Sequence, residues 1–247
     1  MARLASLSGS LGFWLAILGA LGILLSPIGY RLGLWDAGFA LRKILAMATI
    51  AAIAALVLCI LALVLAKIGG ARLSTGRVIF GLALSGLLVG YVLLQFNKVQ
   101  SLPYIHDITT DTANPPAFVA LADARKAAPN GLEYKGTEIA DKQKLAYPDI
   151  APLISKLPPN ELYTKAEAVA HASGWEIATA DAAQGRIEAT QTSLIYGFKD
   201  DIVIRITAKD GGSQLDMRSM SRMGRSDVGM NAKRIREFVA SLKATGV

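Results

Sequence analysis

Three long apolar runs in the first 97 residues restrict what this chain can fold into more than any other feature. Residues 11–30, 44–66 and 78–96 form runs of 20, 23 and 19 residues without one Asp, Glu, Lys, Arg or His. A helix of about 20 apolar residues crosses a bilayer core. Residues 1–97 are therefore predicted to be a transmembrane section of three helices. Residues 98–247 are predicted to be one water-soluble domain, large enough to bury its own core.

Charge separates the two parts. The net charge of +7 would suit a nucleic-acid partner if it were concentrated on the soluble domain. Instead, seven Lys and Arg stand against Asp36 alone in residues 1–97, and 19 against 18 acidic residues remain beyond them. The excess flanks the apolar runs, where cations meet headgroups and set topology, so nucleic-acid binding loses its support. Counted by side, Arg3, Lys67, Arg72 and Arg77 oppose Arg31, Arg42, Lys43 and Lys98, a tie. Locally, three cations precede the third run and one follows it. The expectation is an inner-membrane protein of bacterial type with its C-terminal domain on the extracytoplasmic side.

The first run exceeds a signal-peptide core and lacks a small-residue cleavage site before Arg31, so it is read as retained. Cys59, the one cysteine, lies in the second run and forms no disulfide within the chain. It is expected to be an inert apolar residue. Gly12, Ala16 and Ala20, Ala48 and Ala52, and Gly86 and Gly90 recur at fourfold spacing, which lets helices approach closely. They serve a three-helix bundle or a membrane-protein partner. With no ionisable group inside a run, no proton relay or ion pathway through these helices is expected.

Residues 102–159 are punctuated by prolines that block helix continuation, and short strands are expected near 118–121 and 132–134. The pattern then sharpens. A helix is predicted over 162–173, capped by Gly174. Strands follow over 175–179, 186–192, 201–208 and 213–221, and a last helix over 227–243. The fold class is α+β: a four-stranded antiparallel sheet flanked by two helices, behind the membrane section. Alternation puts Ile187, Ala189, Ile202, Ile204, Ile206, Leu215 and Met217 on the face beneath the helices. The other face, bearing Glu188, Thr190, Val203, Arg205, Asp216, Arg218 and Met220, is expected to be exposed.

The densest polar segment leaves the last strand at Asp216 and Arg218, passes Ser219, Ser221 and Arg222, turns at Gly224, and runs through Arg225, Ser226 and Asp227 into the last helix with Asn231 and Arg234. A glycine turn feeding a helix start presents free amide hydrogens, and arginines supply planar donors for carboxylate or phosphate. Arg222 and Arg225 are the expected ligands of an anion, with Arg205, Arg218, Ser219, Ser221, Gly224, Ser226 and Asn231 completing the predicted binding set and Glu188, Asp216, Asp227 and Arg234 supporting it. Structural capping by Ser226 or Asp227 is the alternative.

Catalysis has weaker support. His106 beside Asp107 is the better placed of two histidines, and Asp200–Asp201 resembles a carboxylate pair. However, neighbouring strand residues point to opposite faces, and a turn position ordering Lys199 or Arg205 is the plainer role for those two aspartates. No metal site or cofactor is expected. A hydrolase or lyase centred on His106 and a structural subunit of a membrane complex remain alternatives to a membrane-anchored anion-binding module. Its partners would be the bilayer, an anionic lipid or small anion, or an acidic protein loop.

Several of these segments carry a resemblance. Ile187-Glu-Ala-Thr-Gln-Thr-Ser, Gly197-Phe-Lys-Asp-Asp-Ile-Val-Ile-Arg, Asp216-Met-Arg-Ser and Arg222-Met-Gly-Arg-Ser-Asp-Val-Gly-Met-Asn-Ala-Lys-Arg-Ile resemble the DUF1499 family, as do Ile105-His-Asp-Ile-Thr-Thr-Asp, Asn114-Pro-Pro and Tyr147-Pro-Asp-Ile. The resemblance covers roughly residues 103–243. It implies an envelope domain, with no activity or catalytic residue to carry over.

Overall fold

In the computed structural model, which describes residues 1–70 and 72–247, the chain forms two compact units, Met1–Val99 and Gln100–Val247. The first is helical. Helix α1 (Ala2–Arg31) is followed by α2 (Ala37–Phe39), which passes through one π turn (Ala40–Ile44) into α3 (Leu45–Gly69); α4 (Thr75–Gln100) completes it. Three helical stretches, Ala2–Arg31, Ala37–Gly69 and Thr75–Gln100, are long and apolar enough to cross a membrane.

The small residues of α1 and α3 meet. A Cβ on Gly12 would lie 2.7 Å from the Cys59 sulfur, and one on Gly19 would lie 3.0 Å from the Ala48 carbonyl. Close packing of this kind replaces the hydrophobic drive that lipid cannot supply. The buried row on α1 runs Gly9, Gly12, Ala16 and Gly19, alternating steps of three and four, while Ala20 is only half-buried. On α4 the tight position is Gly81; among the described residues, nothing lies within 4 Å of where a Cβ would stand on Gly86 or Gly90.

The second unit is an antiparallel sheet of six strands rather than the expected four. Strands β3 (Glu176–Asp181), β4 (Arg186–Thr192), β5 (Lys199–Lys209) and β6 (Gly212–Ser221) lie where alternation placed them. The additional two, β1 (Asp107–Thr109) and β2 (Leu153–Ser155), have three residues each, too short to show a period. Both pair with β6, β1 along Arg218–Met220 and β2 along Ser213–Leu215. The order is β1-β6-β5-β4-β3. Helices α7 (Pro159–Ala172) and α8 (Met230–Ala244) cover the face predicted for them: Leu162, Ala166, Ile235 and Phe238 join Ile187, Ile202, Ile204, Leu215 and Met217 in one buried core.

The opposite face is not solvated. It is covered by the first part of the segment between β1 and β2, which includes α5 (Ala122–Lys126); α6 (Thr137–Ala146) follows, its Ile139 in the core on the helix side. Phe118 and Leu121 pack on Val203 and Met220. No strand forms at 118–121 or 132–134. That segment crosses the face of the sheet, where no ladder is available, and is held by side chains instead. The Glu188 carboxylate accepts the Val119 and Leu121 amides at 2.8 and 2.9 Å.

Candidate functional site

Two buried polar layers bracket β5 and β6. On the covered face, Arg218 meets Asp107 in a two-pronged pair at 2.9 and 2.8 Å, and also donates to the Pro116 and Leu132 carbonyls. The Phe118 and Tyr134 rings lie 5.1 and 5.5 Å from its guanidinium. The Tyr134 hydroxyl is pushed up to about 12, first by burial and then by the nearby Asp107. One strand over, Asp201 receives Arg125 at 2.9 Å, Arg222 at 2.9 Å and the Thr190 hydroxyl at 2.7 Å. Arg205 donates to Asp216 and Asp111 at 2.9 and 3.1 Å, and Arg186 reaches Glu188 at 3.5 Å.

Beneath the start of α8 lies the second layer. Arg234 binds Asp200 at 2.7 Å and the Ser219 hydroxyl at 2.8 Å, and also meets Gln191. Asn231 accepts from Ser219 at 2.7 Å and donates to the Ser221 hydroxyl and the His106 carbonyl at 3.1 and 2.9 Å. Ser219 and Ser221 are buried and hydrogen-bonded. They therefore belong to the interior rather than to a surface ligand. Asp200 and Asp201 point to opposite faces as neighbouring strand residues must. They stand inside β5, not at a turn, and order Arg234, Arg125 and Arg222 rather than Lys199 or Arg205.

The turn from β6 to α8 is tightly built. Gly224 and Gly229 have φ of +88° and +77°, and Val228, a β-branched residue, is held at +53°. A left-handed conformation there stores local strain of about 1–3 kcal/mol. Asp227 accepts the Gly229 and Asn231 amides at 2.9 and 2.7 Å, so a carboxylate of the chain already occupies this helix start. Burial raises the Asp227 pKa, and those two hydrogen bonds oppose the rise. The Ser226 hydroxyl accepts the Val228 amide at 3.3 Å.

His106 joins this turn across more than a hundred residues of sequence. Its carbonyl accepts the Ser221 amide at 3.0 Å, and its Nδ1 lies 3.4 Å from the Arg225 carbonyl. Burial pushes its pKa down, which favours neutral imidazole. Asp107 lies on the other face, committed to Arg218, so the two do not form a dyad. Among the described residues, no group of three His, Cys, Asp or Glu side chains is placed to hold a metal ion.

Of the predicted anion ligands, Arg205, Arg218 and Arg222 are all paired with carboxylates, as is the supporting Arg234. Arg222 keeps 22% of its side chain exposed. Arg225 is exposed and makes no ion pair among the described residues. Lys199 is exposed at the same end of the sheet, where its carbonyl accepts the Arg222 amide at 2.9 Å.

Three contributors were invisible in the sequence. Arg125 is fully buried, and only its fold neighbours distinguish it from any surface arginine. The Gln143 amide bonds both backbone groups of Thr109, at 3.0 and 2.6 Å, and closes the outer edge of β1 as a strand would. The Asn130 side chain donates to the Ser221 and Gly224 carbonyls at 2.9 Å each. None of these belongs to a periodic pattern or a motif.

Comparison with known proteins adds one finding. Residues 107–242, more than half of the chain, match the family described as protein of unknown function (DUF1499). No curated protein matches the chain.

Proposed function

The chain belongs to the DUF1499 family, and from that premise we propose that it is a membrane-anchored module whose soluble domain binds an anionic group, a lipid headgroup foremost. The binding end is where Arg225 and Lys199 stand exposed beside Arg222. The observation that carries this is the contrast among the arginines of the cluster: four are neutralised by carboxylates of the chain, whereas Arg225 is left exposed on a strained turn. A basic side chain near an anionic bilayer surface contributes about 1 kcal/mol, so Arg225 and Lys199 together give a preference of roughly tenfold or more. The three apolar helices support anchoring. The cations preceding the third helix favour a domain on the extracytoplasmic side of a bacterial inner membrane.

Native mass spectrometry of the full chain in mild detergent tests the reading. Phosphatidylglycerol is expected to be retained over phosphatidylcholine, and the Arg225→Ala/Lys199→Ala variant to lose that preference with an unchanged melting temperature. Inorganic phosphate, added as competitor, separates a free-anion site from a headgroup site. Equal retention of the two lipids by the unaltered chain would overturn the proposal.

A second reading, acid–base chemistry at His106, draws support from its approach to the Arg225 carbonyl. It requires a proton acceptor other than Asp107 and Asp201, both of which are held by arginines.

A further inference from the structure

The segment that covers the charged face of the sheet leaves a gap in its own cover. Two of its stretches, residues 115–118 and 132–134, line a cleft of about 420 Å³, and Arg218 lines it from the sheet. Ligand sites span about 300–1,000 Å³, and a cavity of about 150 Å³ already accepts benzene. The cleft therefore has room for one ring and a short substituent.

The sequence leaves these walls with few polar groups to offer. Pro115 and Pro116 carry no amide hydrogen. The Pro116 and Leu132 carbonyls accept from Arg218, and the Ala117 carbonyl accepts from Arg186. Charge is cancelled as well. Each nitrogen of the Arg218 guanidinium already donates to the chain, and Asp107 neutralises it in the two-pronged pair. No free cation is left there for an anion, and the exposed Glu133, which also lines the cleft, repels one.

One polar atom in this wall is left over. The Tyr134 hydroxyl is buried and has no hydrogen-bond partner among the described residues. Its pKa is pushed up to about 12, first by burial and then by Asp107, so the hydroxyl keeps its proton and can donate it. The ring that carries it packs 5.5 Å from the Arg218 guanidinium, with Phe118 on the same cation at 5.1 Å. A buried donor without an acceptor bears its desolvation cost uncompensated. A ligand that brings an acceptor to this atom removes that cost.

We propose that the cleft binds a small neutral ring compound carrying one carbonyl oxygen. Tyr134 donates to that carbonyl, and Ala117, Phe118 and Leu132 form the apolar wall. This site goes beyond the anion site proposed above: it lies within the C-terminal unit and uses neither Arg225 nor Lys199.

Fluorine NMR of the full chain in phosphatidylcholine nanodiscs tests it, with the broadening seen in protein-free nanodiscs subtracted. The probes are 4-fluoroacetophenone, 1-ethyl-4-fluorobenzene, which lacks the carbonyl, and 4-fluorobenzoate, which carries a charge. The ketone is expected to bind roughly five- to tenfold more tightly than the hydrocarbon, the ratio one net hydrogen bond supplies, and the benzoate not to bind. Tyr134→Phe removes an oxygen that bonds nothing in the fold. It is expected to keep the melting temperature and to bind ketone and hydrocarbon alike. Ala117→Trp, at an exposed lining position, is expected to abolish binding of both; should it lower the melting temperature, Tyr134→Phe alone decides. The proposal is overturned by equal binding of ketone and hydrocarbon to the unaltered chain, or by no binding of the ketone. A preference that survives Tyr134→Phe, binding that survives Ala117→Trp, or benzoate bound as tightly as the ketone overturns it too.

Discussion

Asp201 shows how this domain uses its charges. Fully buried, it accepts from Arg125, Arg222 and Thr190 at once. Removing a carboxylate that faces a buried guanidinium leaves a charge with nothing to offset its lost hydration, a loss of about 3–5 kcal/mol. Asp201→Asn is therefore expected to destabilise the domain by that amount. Arg125→Met is expected to cost less, because Asp201 keeps Arg222 and Thr190. Urea unfolding of the full chain in mild detergent would rank the two. His106 contributes to the domain's pH dependence. Its pKa lies below the ordinary 6.5 because burial disfavours the imidazolium. Its contribution to stability is then full above about pH 6.5 and is lost as pH falls from there through the lowered pKa. The same unfolding measured between pH 7 and pH 5 should show this decline in the unaltered chain and a flatter profile in His106→Gln.

At the scale of elements, the covering segment depends on Glu188 more than on strand pairing. Its carboxylate holds two amides of that segment, Val119 and Leu121, over a fully buried site. Glu188→Ala leaves both donors without their acceptor, at about 1–3 kcal/mol each. Limited proteolysis is expected to cut within 112–134 several-fold faster in that variant, with α7 and α8 as resistant as before. This segment also marks where sequence reasoning stops. The β4 strand and the apolar stripe of α8 were legible because each repeats at its own period over seven residues or more. β1 and β2 were not, since three residues carry no period. The charged face read as solvated because Glu188, Arg205 and Arg218 alternate there as surface residues do. What covers it, Phe118, Leu121 and Arg125, sits in a stretch without periodicity. The Arg-Ser-Asp turn was found by composition alone, but composition could not tell that the arginines beside Asp107, Asp200, Asp201 and Asp216 would be spent inside the fold and Arg225 left outside.

For the whole molecule, most of the cationic excess belongs to the helical N-terminal unit, and the C-terminal unit is close to neutral. Net charge on the domain is therefore not what the proposed anchoring rests on; it rests on three helical stretches long and apolar enough to cross a membrane. A reporter active only outside the cytoplasm, fused at Val247, is expected to be active under the orientation proposed from the cations before the third helix. The central claim, that this sheet end meets anionic lipid, is tested most directly by hydrogen exchange of the full chain. The comparison is between nanodiscs containing phosphatidylglycerol and nanodiscs of phosphatidylcholine alone. Amides of 222–229 should exchange several-fold more slowly in the anionic discs, and those of 209–212 at the same rate in both. Equal exchange across 222–229 in the two lipids would contradict the account.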